Sequence, residues 1–170
     1  VSFYNGTNKK NIHPTPVIGG VGLITKLNKK VNHIIKDEGN PILLVGKTFG
    51  HLYQSVFFEE IYSINEGPPP EINLLNEKNN GEFVLELIKH DLVRSVHDIS
   101  SGGLIVGLAE MCMGSDYGIK IERPKKLNNL FEYFYGEDQG RYLIEINKNN
   151  LKKIEKLFKD NNIFKEIVGF

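Results

Sequence analysis

A histidine and an aspartate stand next to each other at His97 and Asp98, and a serine- and glycine-rich turn follows them. The pattern predicts a short strand that ends at this pair, a tight turn, and an apolar helix from about 104 to 113. Ser100 or Ser101 can cap that helix, whose free N–H groups attract anions such as phosphate. The stretch is either an anion-binding corner or a capped turn with a structural His-Asp hydrogen bond. The candidate residues here are His97, Asp98, Ser100, Gly102 and Gly103.

A second polar turn, bounded by Gly136 and Gly140, contains the adjacent acids Glu137 and Asp138, followed by Gln139. Magnesium prefers carboxylate oxygens, although adjacent acids in a turn are more often only solvated. No histidine has the spacing of a metal ligand to another histidine or to the cysteine, and no serine lies in a nucleophile motif. The residues alone therefore assign no catalytic group and no metal ligand.

The predicted apolar helix carries one charge, Glu110. Its other residues form an apolar face with helical spacing, which indicates a mostly buried helix. The residues on this face are Leu104, Ile105, Leu108, Met111 and Cys112, with Val106 and Ala109 beside them. Glu110 either faces solvent or is a buried carboxylate with a partner.

The charge balance argues against several classes of function. Lys and Arg together number 21, as do Asp and Glu, so no net charge directs the chain to nucleic acid or to a membrane surface. The single cysteine, Cys112, allows no disulfide within the chain, which suits a reducing compartment. No apolar run approaches the roughly 20 residues that span a bilayer. We therefore expect a cytoplasmic protein without nucleic-acid or membrane partners.

Strand and helix patterns alternate along the chain, which predicts an α+β fold with layered helices and sheet. The apolar run 17–24 contains three glycines and is interpreted as a strand with a bulge. Continuous apolar character predicts a buried strand at 42–45. Further strands are expected at 117–122, 142–146 and 163–168, and helices at 51–61, 71–90 (one or two), 104–113, 127–135 and 151–158.

Four stretches, in order along nearly the whole chain, resemble motifs of PurL, the synthetase subunit of phosphoribosylformylglycinamidine (FGAM) synthase. Residues 97–104 and 108–111 resemble H-D-x-S-x-G-G-L…L-A-E-M. Residues 1–5 with 14–23 resemble G-N-V-S-x-Y-N-E…P-T-P-V-I-G-x-V-G. Residues 50–55 resemble G-x-L-G-Q-S, and residues 137–143 resemble S-E-x-Q-G-R-Y-L. This chain departs from the family at Gly6 (glutamate), Tyr53 (glycine) and Gly136 (serine).

The resemblance implies a C-terminal piece of that subunit, with a fold similar to the C-terminal domain of aminoimidazole ribonucleotide (AIR) synthetase. Residues 1–24 would end a preceding ATP-site domain, and residues 25–170 would form its companion domain. The full-length enzyme would use ATP and Mg²⁺ to convert formylglycinamide ribonucleotide (FGAR) to FGAM with ammonia from glutamine. Its partners would be a glutamine amidotransferase subunit and a small accessory subunit. No cofactor is expected within these residues, which alone would be inactive.

The resemblance also has implications for individual residues. It places a substrate contact at Ser2, and it implies no catalytic residue here, because the family's catalytic histidines belong to the first half of the enzyme. Glu137, Asp138 and Gln139 stand where the first half has a substrate-binding E-S-Q. Together with His97, Asp98, Ser100, Gly102 and Gly103 they form a candidate auxiliary or anion site. Two alternatives stay open: a non-catalytic scaffold that contacts other domains and subunits, and another ATP-dependent synthetase of the superfamily, such as AIR synthetase.

Overall fold

The fold is organised around a four-stranded antiparallel sheet, seen in a computed structural model that describes residues 5–7, 10–12, 17–24, 26–122, 124 and 129–170. Earlier in the sequence, β1 (Asn5–Thr7) and β2 (Lys10–Ile12) form a separate antiparallel hairpin. The strands of the main sheet are β3 (Ile42–Val45), β4 (Ser95–Asp98), β5 (Tyr142–Glu145) and β6 (Lys165–Gly169). Their order is β4-β5-β3-β6, so β5 and β3 are the central strands.

The helices of the described residues lie between these strands in the sequence, and most of them cover the sheet. They are α1 (Val56–Tyr62), α2 (Leu74–Lys89), α3 (Gly103–Cys112), α4 (Leu130–Tyr135) and α5 (Leu151–Asp160). The region 71–90 contains one helix rather than two, and the side chain of Asn73 caps it by accepting a hydrogen bond from Asn76 N. Among the described residues, no helix combines the length and apolar character needed to cross a membrane.

The alternation of side chains along β3 explains the three layers of the domain. Leu43 and Val45 pack on one side and Ile42 and Leu44 on the other, because successive side chains of a strand point to opposite faces. The first side is covered by α2 and α5, and the second by α3 and α4. Neither face of β3 is open to solvent, which explains its continuous apolar run. The predicted α+β architecture with layered helices and sheet is confirmed.

The apolar segment 17–24 is not the strand that its sequence predicts. It adopts no regular structure, and Val17, Ile18, Val21 and Leu23 are each at least 89% exposed. A Cβ built at any of its three glycines would meet no atom within 4 Å. A strand needs partners for its N–H and C=O groups, and no strand of the described residues pairs with this segment.

Several elements begin later or are shorter than predicted. The helix expected at 51–61 begins at Val56, because Gln54 has a φ of 55° and Ser55 Oγ then accepts a hydrogen bond from Phe58 N. The helix expected at 127–135 is α4, and its predicted first residues, 127 and 128, lie outside the described ones. Of the strand expected at 117–122, only Ile121 forms a bridge, to the end of β6.

Candidate functional site

The side chain of Asp138 points into the protein and binds three consecutive backbone amides. Its Oδ2 accepts hydrogen bonds from Phe49 N at 2.8 Å and Gly50 N at 2.9 Å, and its Oδ1 accepts one from His51 N at 3.2 Å. Asp138 is only 5% exposed, so these bonds replace the water that normally solvates a carboxylate. The acid therefore fastens the loop after β3 to the turn that precedes β5.

The neighbouring Glu137 also turns inward and joins the N-termini of two helices. Its Oε1 accepts hydrogen bonds from Val56 N and Gly102 N, each at 2.8 Å. Val56 is the first residue of α1 and Gly102 is the N-cap of α3, where backbone N–H groups have no partner within their own helix. A carboxylate also interacts favourably with the positive end of a helix dipole. Both acids of this turn therefore contact backbone amides rather than solvent alone.

The turn at residues 136–140, which contains Glu137 and Asp138, is called the acidic turn below. Arg141 supports it from the protein interior. Its side chain is fully buried, and its guanidinium donates to Asp138 O at 3.1 Å, to Gly136 O at 2.6 Å and to Thr48 Oγ1 at 3.1 Å. Burial lowers the pKa of Arg141, and the Asp138 carboxylate, 3.8 Å from the guanidinium, opposes this shift. Because a buried cation needs both charge and hydrogen-bond partners, this arrangement holds the turn in one conformation.

The corner at 100–103 is a glycine corner, without the predicted serine cap. Gly102 has a φ of +82°, and no side chain of its own segment caps α3. Ser100 is exposed and contributes only its carbonyl oxygen, which accepts from Gly103 N at 3.1 Å. The prediction that Ser100 or Ser101 caps the helix is therefore wrong, since Glu137 supplies the oxygen from a distant part of the sequence.

His97 pairs with Glu110 of α3 rather than with Asp98. Its Nε2 lies 2.8 Å from Glu110 Oε2, whereas its Nδ1 lies 3.5 Å from Asp98 Oδ1, which is too far for a strong hydrogen bond. The predicted structural His-Asp hydrogen bond is therefore wrong. The side chain of Glu110 is about half exposed and also has a partner, His97. It therefore faces solvent in part, as one interpretation predicted, and is paired, as the other predicted. The ring of His33 lies 5.1 Å from that of His97.

An open groove of about 760 Å³ lies beside the acidic turn. It is lined by the loop 49–53, by residues of α2 and by residues 161–164. Lys47 is the only lysine or arginine among the described residues that line it. The lining also contains three glutamates, Glu71, Glu77 and Glu132, so acidic side chains outnumber this one basic side chain. An acidic groove of this kind disfavours a phosphate group.

The structure divides the predicted site residues into separate groups. Gly102, Gly103, Glu137 and Asp138 belong to segments that meet at the acidic turn, His97 and Asp98 lie at the end of β4, and Ser100 and Gln139 are exposed. Ser2 lies outside the described residues, so its substrate contact stays a prediction. In the described part of the chain, no group of three or more His, Cys, Asp or Glu side chains could hold a metal ion.

Sequence reasoning missed two buried charged residues, Arg141 and Glu145. Arg141 lies within the Q-G-R-Y-L stretch, so the motif was a signal that could have identified it. Glu145 is the one charge in an otherwise apolar strand, and nothing in its neighbours distinguishes it from a solvent-facing residue. It is fully buried and binds the loop before β3.

Residues 37–169 match the family described as AIR synthase related protein, C-terminal domain. The phosphoribosylformylglycinamidine synthase subunit PurL of Pelagibacter ubique is 47% identical over 169 residues, which are 99% of this chain and 23% of that protein. The chain therefore spans about a quarter of the length of the curated relatives that it matches. The predicted resemblance to PurL is confirmed.

Solved structures of the same kind share the fold. Thermotoga maritima PurL complexed with FGAR has a TM-score of 0.71 at 17% identity, over 84% of this chain and 25% of that chain. The structure of PurLQS from Thermotoga maritima has a TM-score of 0.63 at 18% identity, over 85% of this chain and 24% of that chain. At these identities the likeness concerns the fold alone.

Proposed function

We propose, since the chain belongs to the family of AIR synthase related C-terminal domains, that it is the second companion domain of a PurL-type synthetase subunit. The observation that carries this proposal is the match to Pelagibacter ubique PurL along 99% of the chain. We assign residues 25–170 to the companion domain and residues 1–24 to the end of a preceding ATP-site domain. The exposure of the apolar segment 17–24 supports this division, because such a segment is normally covered.

The proposed whole enzyme converts FGAR, ATP and glutamine-derived ammonia to FGAM, ADP and phosphate. Phosphoryl transfer of this kind depends on positioning and on magnesium, which neutralises the charge of the phosphates. A glutamine amidotransferase subunit supplies the ammonia, and a small accessory subunit completes the complex. The PurLQS assembly of Thermotoga maritima supports the presence of partner subunits. We place the enzyme in the cytoplasm, where ATP and glutamine are available.

The described residues of this chain do not fit magnesium ATP. The backbone amides at the glycine corner and at the start of α1 that could bind a phosphate already bind Glu137. Those of the groove loop, residues 49–53, bind Asp138. The groove itself is acidic. We therefore assign ATP and Mg²⁺ to the three quarters of the enzyme that this chain does not cover.

A scaffold role is the second candidate, and the surface of α1 and α4 favours it. The ring of Phe57 stacks on Tyr135 at 4.5 Å and on Phe131 at 5.3 Å, so aromatic side chains join the two helices. Ile61 and Tyr62 beside them are more than half exposed, and no residue of α1 is fully buried. Contiguous exposed apolar surface of this kind typically marks a contact with another domain or subunit.

A domain exchange tests the proposal. The 170 residues replace the matching part of Pelagibacter ubique PurL, and FGAM formation is measured with FGAR, ATP and ammonia. We expect the folded chimera to form FGAM and the 170-residue chain alone to form none. The same chimera with Lys153→Ala, on the exposed side of α5, should match the first chimera. A folded chimera without FGAM formation would contradict the companion-domain role. Turnover by the chain alone would contradict the assignment of the chemistry to the other domains.

A further inference from the structure

The acidic turn has a second consequence, which goes beyond the proposed function. We propose that Glu137 and Asp138 are built-in anions, which occupy the amide donors of the glycine corner and of the groove loop. They position these two segments, and they close the corner to a phosphate group from outside. Glu137 and Asp138 are positioning residues in this proposal, with no contact to a reacting atom.

The first support is the number and origin of the donors. Five backbone N–H groups bind the two carboxylates at 2.8 to 3.2 Å, namely those of Phe49, Gly50, His51, Val56 and Gly102. They lie between 35 and 89 residues away from the acids in the sequence. Convergent backbone amides are the donors that proteins use to bind phosphate. Here an internal carboxylate takes the place of that ligand.

The second support is the position of one oxygen atom. Glu137 Oε1 accepts from both Val56 N and Gly102 N, so it lies where the starts of α1 and α3 meet. A phosphate oxygen that used either amide would have to displace this carboxylate. The displaced Glu137 would then stand beside the incoming anion, which is unfavourable because like charges repel.

The third support is the shortage of compensating cations. Arg141 is near the turn, but its side chain is fully buried and its guanidinium donates to Asp138 O, Gly136 O and Thr48 Oγ1. On the groove side, Lys47 is the only lysine or arginine among the described lining residues. An external phosphate would therefore meet carboxylates without gaining a free cation.

Chemical rescue tests the proposal. In Glu137→Ala the two amides lose their acceptor, and we expect the melting temperature to fall by about 5–10 °C. Inorganic phosphate or formate should then bind, recover part of that loss, and move the amide NMR signals of Val56 and Gly102 in a saturable way. In the unchanged protein and in Glu60→Ala, the same titrations should leave both signals in place, with potassium chloride as the ionic-strength control.

Two results would overturn the proposal. One is a saturable phosphate response of the Val56 and Gly102 amides in the unchanged protein, since the corner would then be open. The other is a folded Glu137→Ala variant that responds to neither anion.

If that variant does not fold, Glu137→Gln replaces it. We then expect a roughly tenfold loss of hydrogen-exchange protection at the amides of Val56 and Gly102, with the amides that bind Asp138 less affected. Equal losses at all five amides, or no loss, would contradict the role of Glu137. These readouts need no FGAM formation, so they fail or succeed independently of the proposed function.

Discussion

Replacing Glu145 by glutamine should destabilise the domain strongly, although the two side chains have nearly the same shape. Glu145 lies in β5, a central strand, and is 0% exposed. Its Oε2 accepts from Lys36 N at 2.9 Å and Ser95 Oγ at 3.0 Å. Its Oε1 accepts from Asp37 N at 3.1 Å and Asn40 Nδ2 at 2.8 Å. Each oxygen therefore accepts a hydrogen bond from one backbone N–H, which can only donate and never accept.

The magnitude follows from what a glutamine amide can and cannot replace. With its NH₂ group at the Oε2 position, the Ser95 hydroxyl can rotate and accept, but Lys36 N is left facing another donor. An unsatisfied buried donor costs about 1–3 kcal/mol, and the remaining bonds lose the strength that the negative charge adds. Relief of the desolvation penalty of the carboxylate offsets part of this loss. We expect a net destabilisation of about 2–3 kcal/mol, which lowers the melting temperature by about 4–12 °C in a domain of this size.

Urea unfolding followed by circular dichroism measures this difference, with Glu60→Gln on the exposed side of α1 as the matched control. The control should change the free energy of unfolding by less than about 0.5 kcal/mol. Backbone amide signals of Lys36 and Asp37 should shift in Glu145→Gln and stay in place in the control. The reasoning is refuted if Glu145→Gln unfolds at the same urea concentration as the control.

Two further predictions concern the glycine corner and the pH dependence of stability. Gly103→Ala should lower the free energy of unfolding by about 2–4 kcal/mol, because Gly103 has a φ of +71° and a Cβ there would lie 2.7 Å from Gly136 O. Urea unfolding measures this loss. The control is Gly22→Ala, whose Cβ would meet nothing within 4 Å and which should leave the unfolding midpoint unchanged. Burial raises the pKa of Glu166 in the folded state above its ordinary 4.5, so the folded protein keeps this proton longer and stability should fall as the pH rises from about 4.5 through the folded pKa. Glu166→Gln should remove that decline when the free energy of unfolding is measured against pH, and parallel curves for the two proteins would contradict the assignment.

Local patterns in the amino-acid sequence were enough to identify the family and most of the secondary structure. The continuous apolar run at 42–45 identified β3, and helical spacing identified α3 and α5, because these patterns depend on neighbours within a few residues. Local patterns were insufficient for the segment 17–24, since a strand exists only where another strand pairs with it. The four co-linear motifs identified PurL without any knowledge of the fold.

The roles of the charged side chains depend on contacts that form only when the chain folds. An acid in a glycine-bounded turn can be solvated, bind a metal or accept from backbone amides, and these states look the same in the sequence. Glu137 and Asp138 turn inward because Gly102 and the loop 49–56 reach them from 35 to 89 residues away. The carboxylate of Glu110 in α3 pairs with His97 in β4, which is 13 residues away in the sequence. The free energy of each state depends on atoms that the fold alone brings together, and for that reason the chemistry of the turn could not be deduced before the fold was known.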